Sequence, residues 1–196
     1  MRRPFGGGSA ANEQLTAVVG AVLLPLLAAE GATLLNVRSL LNVHAFVGMM
    51  LVPVVAVKIA STGWRMARYY RGSEEYVLRG PPHIVLRVLV APVLVASTVL
   101  VFGTGTALLA AGQTEGTLVG LHKASFVIWA GAFGLHLLTR APTFVRVLRA
   151  RSPGVSLRIL AATLSVVAGV GLATLTLPPI DHLQDNVSGH AGFDSH

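Results

Sequence analysis

Two histidines stand fourteen residues apart in GLHKASFVIWAGAFGLHLLTRAP, residues 120–142, a run apolar enough to lie within a membrane. On an α-helix, at about 100° and 1.5 Å per residue, fourteen steps return to nearly the same face about 21 Å further along. His122 and His136 therefore look the same way from near opposite edges of a bilayer. An ionisable ring in that setting is costly unless it has a partner, which makes it a functional candidate by default. The chemistry open to it is hydrogen bonding to a neighbouring helix, proton transfer, or ligation of a metal. Two imidazoles facing each other from adjacent helices can fill both axial positions of a haem iron.

The elements that must position these rings follow from composition. The chain has 196 residues, 53% of them hydrophobic and 12% charged, with a mean hydropathy of +0.69. That is too apolar for an ordinary soluble domain and reads as an all-α integral membrane bundle. Five apolar stretches of spanning length run from Leu15 to Leu35, Leu40 to Ile59, Ile84 to Ala110, Leu118 to Leu138, and Leu157 to Leu177. Pro25, Pro53 and Pro92 fall inside three of them and predict kinks, which membrane helices tolerate. Arg2 and Arg3 precede the first stretch as in a signal peptide, but about twenty apolar residues exceed the usual h-region, so it reads as a helix. Cysteine is absent, which excludes disulfides, thiolate metal sites, iron–sulfur clusters and covalent haem attachment.

The net charge of +7 and the pI near 11.1 come from arginines lying between apolar segments, with no basic arm or nucleic-acid motif. Orientation in the membrane explains them, since positive loops stay in the cytoplasm. With the N-terminus inside, Arg2 and Arg3 face the cytoplasm, as do the connector carrying Lys58, Arg65, Arg68, Arg71, Arg79 and Arg87 and the one carrying Arg140, Arg146, Arg149, Arg151 and Arg158. Only Arg38 and Lys123 are left outside. Five crossings of the cell membrane then divide the chain into a cytoplasmic segment (1–14), one transmembrane bundle (15–178) and an extracytoplasmic tail (179–196). The aromatic and basic connector WRMARYYRGSEEYVLRGPP reads as an interfacial anchor. The tail histidines His182, His190 and His196 alternate with aspartates in a metal-friendly composition, although disorder is the plainer reading.

With this topology the intramembrane histidines match in depth. His44 and His122 open the second and fourth helices on the outer side, while His83 and His136 lie at the inner ends of the third and fourth. Two facing pairs predict two haem b groups stacked across the bilayer, held without covalent bonds. Lys123 follows the outer histidine, Arg87 is one turn after His83, and Lys58 sits at the inner end, so cations lie near both sets of propionates. Gly48, one turn from His44, leaves room for a porphyrin edge. Trp129 is seven residues from both His122 and His136, on their face and midway between them. Plainer roles stand beside these: interhelical hydrogen bonding for a lone histidine, snorkelling for Arg87 and Lys123, and packing for Trp129, Phe126 and Phe133. Glu30 reads as an interfacial carboxylate, with proton or quinol chemistry the alternative.

These residues resemble the four-helix haem b membrane proteins of the cytochrome b561 and bacterial di-haem cytochrome b type, chiefly through the histidine interval in LHKASFVIWAGAFGLH. More closely, NEQLTAVVGAVLLPLLAAEGATLL, LNVHAFVGMMLVPVVAVKIASTGWRMARYYRG, YVLRGPPHIVLR and HKASFVIW look like a family of actinobacterial integral membrane proteins, over roughly residues 12 to 140. The resemblance implies a haem-binding core with His44, His122 and His136 as ligands. The broader family often pairs two helices that each carry histidines at this interval. Here the position fourteen after His44 is Lys58, so an inner haem requires that His83 supply the ligand.

The leading expectation is a di-haem cytochrome that moves electrons across the membrane between a quinol or redox partner protein and an acceptor, embedded in lipid and without nucleic acid. No nucleotide-binding glycine motif is present, so a dehydrogenase partner would be a separate chain. The rival expectation is a haem-free membrane subunit or small transporter, in which the histidines pack or pass protons.

Overall fold

The computed structural model describes residues 8–78, 86–149 and 155–181. Its long helices are α1 (Ser9–Thr33), α2 (Leu41–Tyr70), α4 (Ala91–Ala111), α5 (Thr117–Arg149) and α6 (Val155–Leu175), with a one-turn helix α3 (Glu74–Val77) after α2. No strand occurs among the described residues. Among the described residues five helical stretches are long and apolar enough to cross a membrane: Ser9–Asn36, Leu41–Tyr70, Val88–Ala111, Thr117–Arg149 and Ser156–Leu175. The chain is an all-α, five-helix membrane bundle.

Three helices, α1, α2 and α5, run beyond the apolar stretches that announce them. α1 starts at Ser9 because its polar first turns find partners on α2: the Asn12 amide donates to the Ser61 carbonyl at 2.9 Å, and the Thr16 hydroxyl to Ser61 Oγ at 3.0 Å. α2 and α5 each run about three turns past their apolar limits, where hydropathy falls but residues such as Met66, Ala67 and Arg68 remain good helix formers. At the far end of α2 the Arg68 guanidinium lies 5.9 Å from the Trp64 ring and 6.0 Å from that of Tyr76. Tyr76 of α3 is buried, so this stretch of the connector folds back onto α2. Pro25, Pro53 and Pro142 lie within helices. Pro92 lies, as expected, inside a span, Val88–Ala111, in the first turn of α4. A π-helical turn at Leu86–Val90 precedes it.

Two tight hairpins set the geometry of the site. α1 passes through a 3₁₀ turn, Leu34–Asn36, into α2. α4 ends at Gly112, whose φ of 61° is left-handed, and the Gln113 N–H reaches back to the Leu108 carbonyl at 3.1 Å, the glycine-capped helix end. A few residues later α5 begins. α1 packs on α2, α2 on α4, α4 on α5 and α5 on α1, closing a ring of four helices, while α6 lies outside against α2 and α1. The approach of α6 depends on Gly169: a methyl group there would run into the Met50 backbone carbonyl.

Val19 and Leu23 of α1, Leu51 and Val54 of α2 and Ala162 of α6 form one buried cluster. A second joins Met49, Leu109, Ala173 and Ile180. Small and hydroxylated residues such as Ser61, Ser97, Thr98, Ser125 and Ser165 are buried too, as expected where membrane helices approach closely. Large apolar side chains such as Val127 and Leu138 point outward, a wasteful arrangement in water and a neutral one in lipid.

Candidate functional site

The α1–α2 hairpin places the last turns of α1 beside the first turn of α2, and so beside His44. Nδ1 of His44 lies 2.9 Å from Glu30 Oε1 and 2.9 Å from Thr33 Oγ1. The Thr33 hydroxyl donates its one hydrogen to the Glu30 backbone carbonyl at 2.6 Å, so toward His44 it can only accept. The Glu30 carboxylate is an acceptor as well. Nδ1 therefore carries a proton, and in the neutral ring Nε2 keeps the lone pair.

His122 is held the same way by the α4–α5 hairpin. Its Nδ1 lies 3.0 Å from Thr104 Oγ1 and 3.1 Å from the Val101 carbonyl oxygen. The Thr104 hydroxyl donates to the Leu100 carbonyl at 2.6 Å, leaving Nδ1 of His122 between two acceptors. This ring too is protonated on Nδ1 and bare on Nε2. Gly105 lies directly beneath it, where a methyl group would stand 3.1 Å from Cε1.

The two rings meet across the bundle with centroids 6.4 Å apart and planes at 80°. They border an interior cavity of about 1390 Å³ lined by residues of α1, α2, α4 and α5, larger than the roughly 300–1,000 Å³ of most ligand pockets. Gly48 lines it and faces Glu30, with Oε1 3.5 Å from where a methyl group would sit. Arg38 and Lys123 line it from exposed positions, at its rim. Trp129 lines it with Phe126 and Phe133; its ring stacks on Phe133 at 4.9 Å and on Phe126 at 6.0 Å. The indole N–H donates to Thr98 Oγ1 at 3.1 Å, so packing and one hydrogen bond account for this side chain.

The donor set fits a haem. His44 and His122 both border the cavity, with ring centroids 6.4 Å apart, and these two residues would hold the iron. Each ligating histidine of a metal site ordinarily donates its other ring N–H to a carboxylate, a carbonyl or water, and both rings here do so. A bare ion is a poorer fit, because no group of three or more His, Cys, Asp or Glu side chains gathers among the described residues. A haem iron needs only two ligands from the protein.

The remaining expected residues lie apart from this cavity or outside the described residues. His136 does not border the cavity; it lies where the charges of Arg140 and Lys58 act on it, with no second histidine beside it among the described residues. Lys58 Nζ donates to the Thr16 carbonyl at 2.5 Å, tying α2 to α1, and does not reach the cavity. His83, the side chain of Arg87 and the tail histidines fall outside the described residues. Glu30, read from sequence as an interfacial carboxylate, turns out to hold His44. Thr33, Thr104, the Val101 carbonyl and Gly105 were not anticipated. A carboxylate fourteen residues before His44 in an apolar run was the one available signal; the others act through contacts that no spacing rule shows. Comparisons with protein-family models, curated proteins and solved structures give no match for this chain.

Proposed function

We propose that this chain is a membrane cytochrome of b type that carries electrons, with haem b held non-covalently between His44 and His122. One observation carries the reading: two imidazoles 6.4 Å apart inside a four-helix bundle, each committed through Nδ1 to oxygen acceptors and each with Nε2 bare. Bound haem supplies a one-electron ferric–ferrous couple. His44 and His122 would hold the group, and the apolar side chains lining the cavity would limit the access of water to it. Arg38 and Lys123 at the rim suit the propionates. A second haem between His136 and His83 is proposed on sequence depth alone, as are a quinol or partner redox protein as electron donor. The arginine distribution supports a cell-membrane orientation with the N-terminus cytoplasmic and the C-terminus outside.

An absorption spectrum of the purified full-length protein, oxidised and then reduced with dithionite, tests the reading. A Soret band with sharp low-spin bands on reduction is expected. Colourless protein after expression with ample haem would sink it and leave the haem-free alternative, in which Glu30, His44 and His122 pass protons. That alternative draws on the Glu30–His44 contact inside the bundle.

A further inference from the structure

Resting on the haem reading above, we propose that Glu30 is a positioning residue that makes His44 the stronger of the two axial ligands and biases the site toward the ferric state. The two ligands are not equivalent. His122 gives its Nδ1 proton to a peptide carbonyl and a hydroxyl, both neutral. His44 gives its proton to a hydroxyl and a carboxylate oxygen. Hydrogen bonds to an ionised acceptor are roughly twice as strong as neutral ones. Drawing the proton off Nδ1 moves electron density to Nε2 and raises the basicity of the ligand. A more basic ligand favours the higher-charged iron.

Several features concentrate this effect on His44. Glu30 Oε1 is directed at Nδ1, while Oε2 is buried with no hydrogen-bond partner among the described residues. The carboxylate has no other donor within the described residues to share its charge. Thr33, three residues on, orients its hydroxyl by bonding the Glu30 carbonyl, so the same turn of α1 supplies both acceptors. Gly48 of α2 faces the carboxylate at ordinary contact distance. Inside the bundle screening is weak compared with water. Packing offers no reason for the residue: the middle of the α1–α2 contact is built from Val19, Leu23, Leu51 and Val54, and a carboxylate in such a bundle is unfavourable unless its partner needs it.

The test separates the charge of Glu30 from its shape, using full-length protein in nanodiscs. Three readouts are taken: the ¹⁵N shifts of His44 in haem-free protein, affinity for added haemin, and the midpoint potential. Glu30→Gln keeps an acceptor at Nδ1 and loses the charge. It should retain the Nδ1–H tautomer and bind haem, while the ferrous-to-ferric ratio at a fixed potential rises about tenfold, equivalent to about 59 mV for one electron. Glu30→Leu loses charge and acceptor, so the tautomer preference should vanish and haem affinity fall about 10–100-fold. Thr33→Val, which leaves the carboxylate in place, should move the potential less than Glu30→Gln. If Glu30→Leu matches wild type in tautomer and affinity, or Glu30→Gln leaves the potential unmoved, Glu30 is only a packing residue and the proposal falls while the cytochrome reading stands. Wild-type protein that takes up no haem overturns both. Should Glu30→Leu not insert, Glu30→Gln decides alone.

Discussion

The imidazoles of His44 and His122 stand 6.4 Å apart, nearly perpendicular, each anchored by Nδ1 to acceptors on the other arm of its own hairpin. Neither hairpin makes the site alone. α1–α2 presents one ring, α4–α5 presents the other, and the closure of the four-helix ring brings them together. The arrangement divides labour between local and tertiary structure: each hairpin fixes a tautomer, and the bundle fixes the separation.

Replacing His44 or His122 by alanine should abolish one low-spin haem signal, that of the His44–His122 site, while the protein still inserts. One remaining imidazole leaves an axial position to water, so residual haem should be high-spin. Haem content by pyridine haemochrome, read with the spectrum, checks this. Full stoichiometry and unchanged bands in both variants would refute the pairing.

Gly105 and Gly48 should respond differently to an added methyl group. At position 105 the methyl meets His122 Cε1 at 3.1 Å, so the ring must shift by a few tenths of an ångström, whereas at position 48 the contact with Glu30 is an ordinary 3.5 Å. Gly105→Ala should weaken haem retention and Gly105→Leu should prevent it. Overpacking of this kind typically costs about 1–3 kcal/mol. Gly48→Ala should stay close to wild type. Haem loss to apomyoglobin gives the comparison, and equal rates for Gly105→Leu and wild type would contradict it.

Lys58→Met should leave the haem spectrum unchanged, because Lys58 Nζ bonds the Thr16 carbonyl and does not border the cavity. The variant loses one interhelical hydrogen bond, worth about 0.6 kcal/mol on average in a membrane bundle. A small drop in unfolding midpoint in mixed micelles, with identical Soret and reduced bands, is the expected pair of results. Altered axial ligation would mean that Lys58 reaches the iron.

Acid acetone should extract all pigment, since the chain has no cysteine to form a thioether. The haem-free protein should unfold at a lower temperature than the loaded form, because a ligand that binds only the folded state stabilises it by mass action. Pigment left in the precipitate, or equal unfolding temperatures at saturating haem, would count against non-covalent binding at a folded site.

Hydropathy and helical period are properties of a short stretch of chain, and what depends on them was legible without coordinates. The five spans follow from residues within a few turns of one another. The lack of cysteine likewise settled which attachments are impossible. Helix ends were misjudged in α1, α2 and α5 because hydropathy marks contact with lipid, and a helix continues beyond it wherever polar residues find partners, as Asn12 and Thr16 do on Ser61. Which imidazoles meet was another matter. Neighbours and rotation in a bundle depend on how side chains interlock across helices, as where Gly169 admits the Met50 carbonyl. Only tertiary structure could therefore turn Glu30 from an interfacial charge into the partner of His44, place Gly105 under His122, and send Lys58 to the backbone of α1 and away from the cavity.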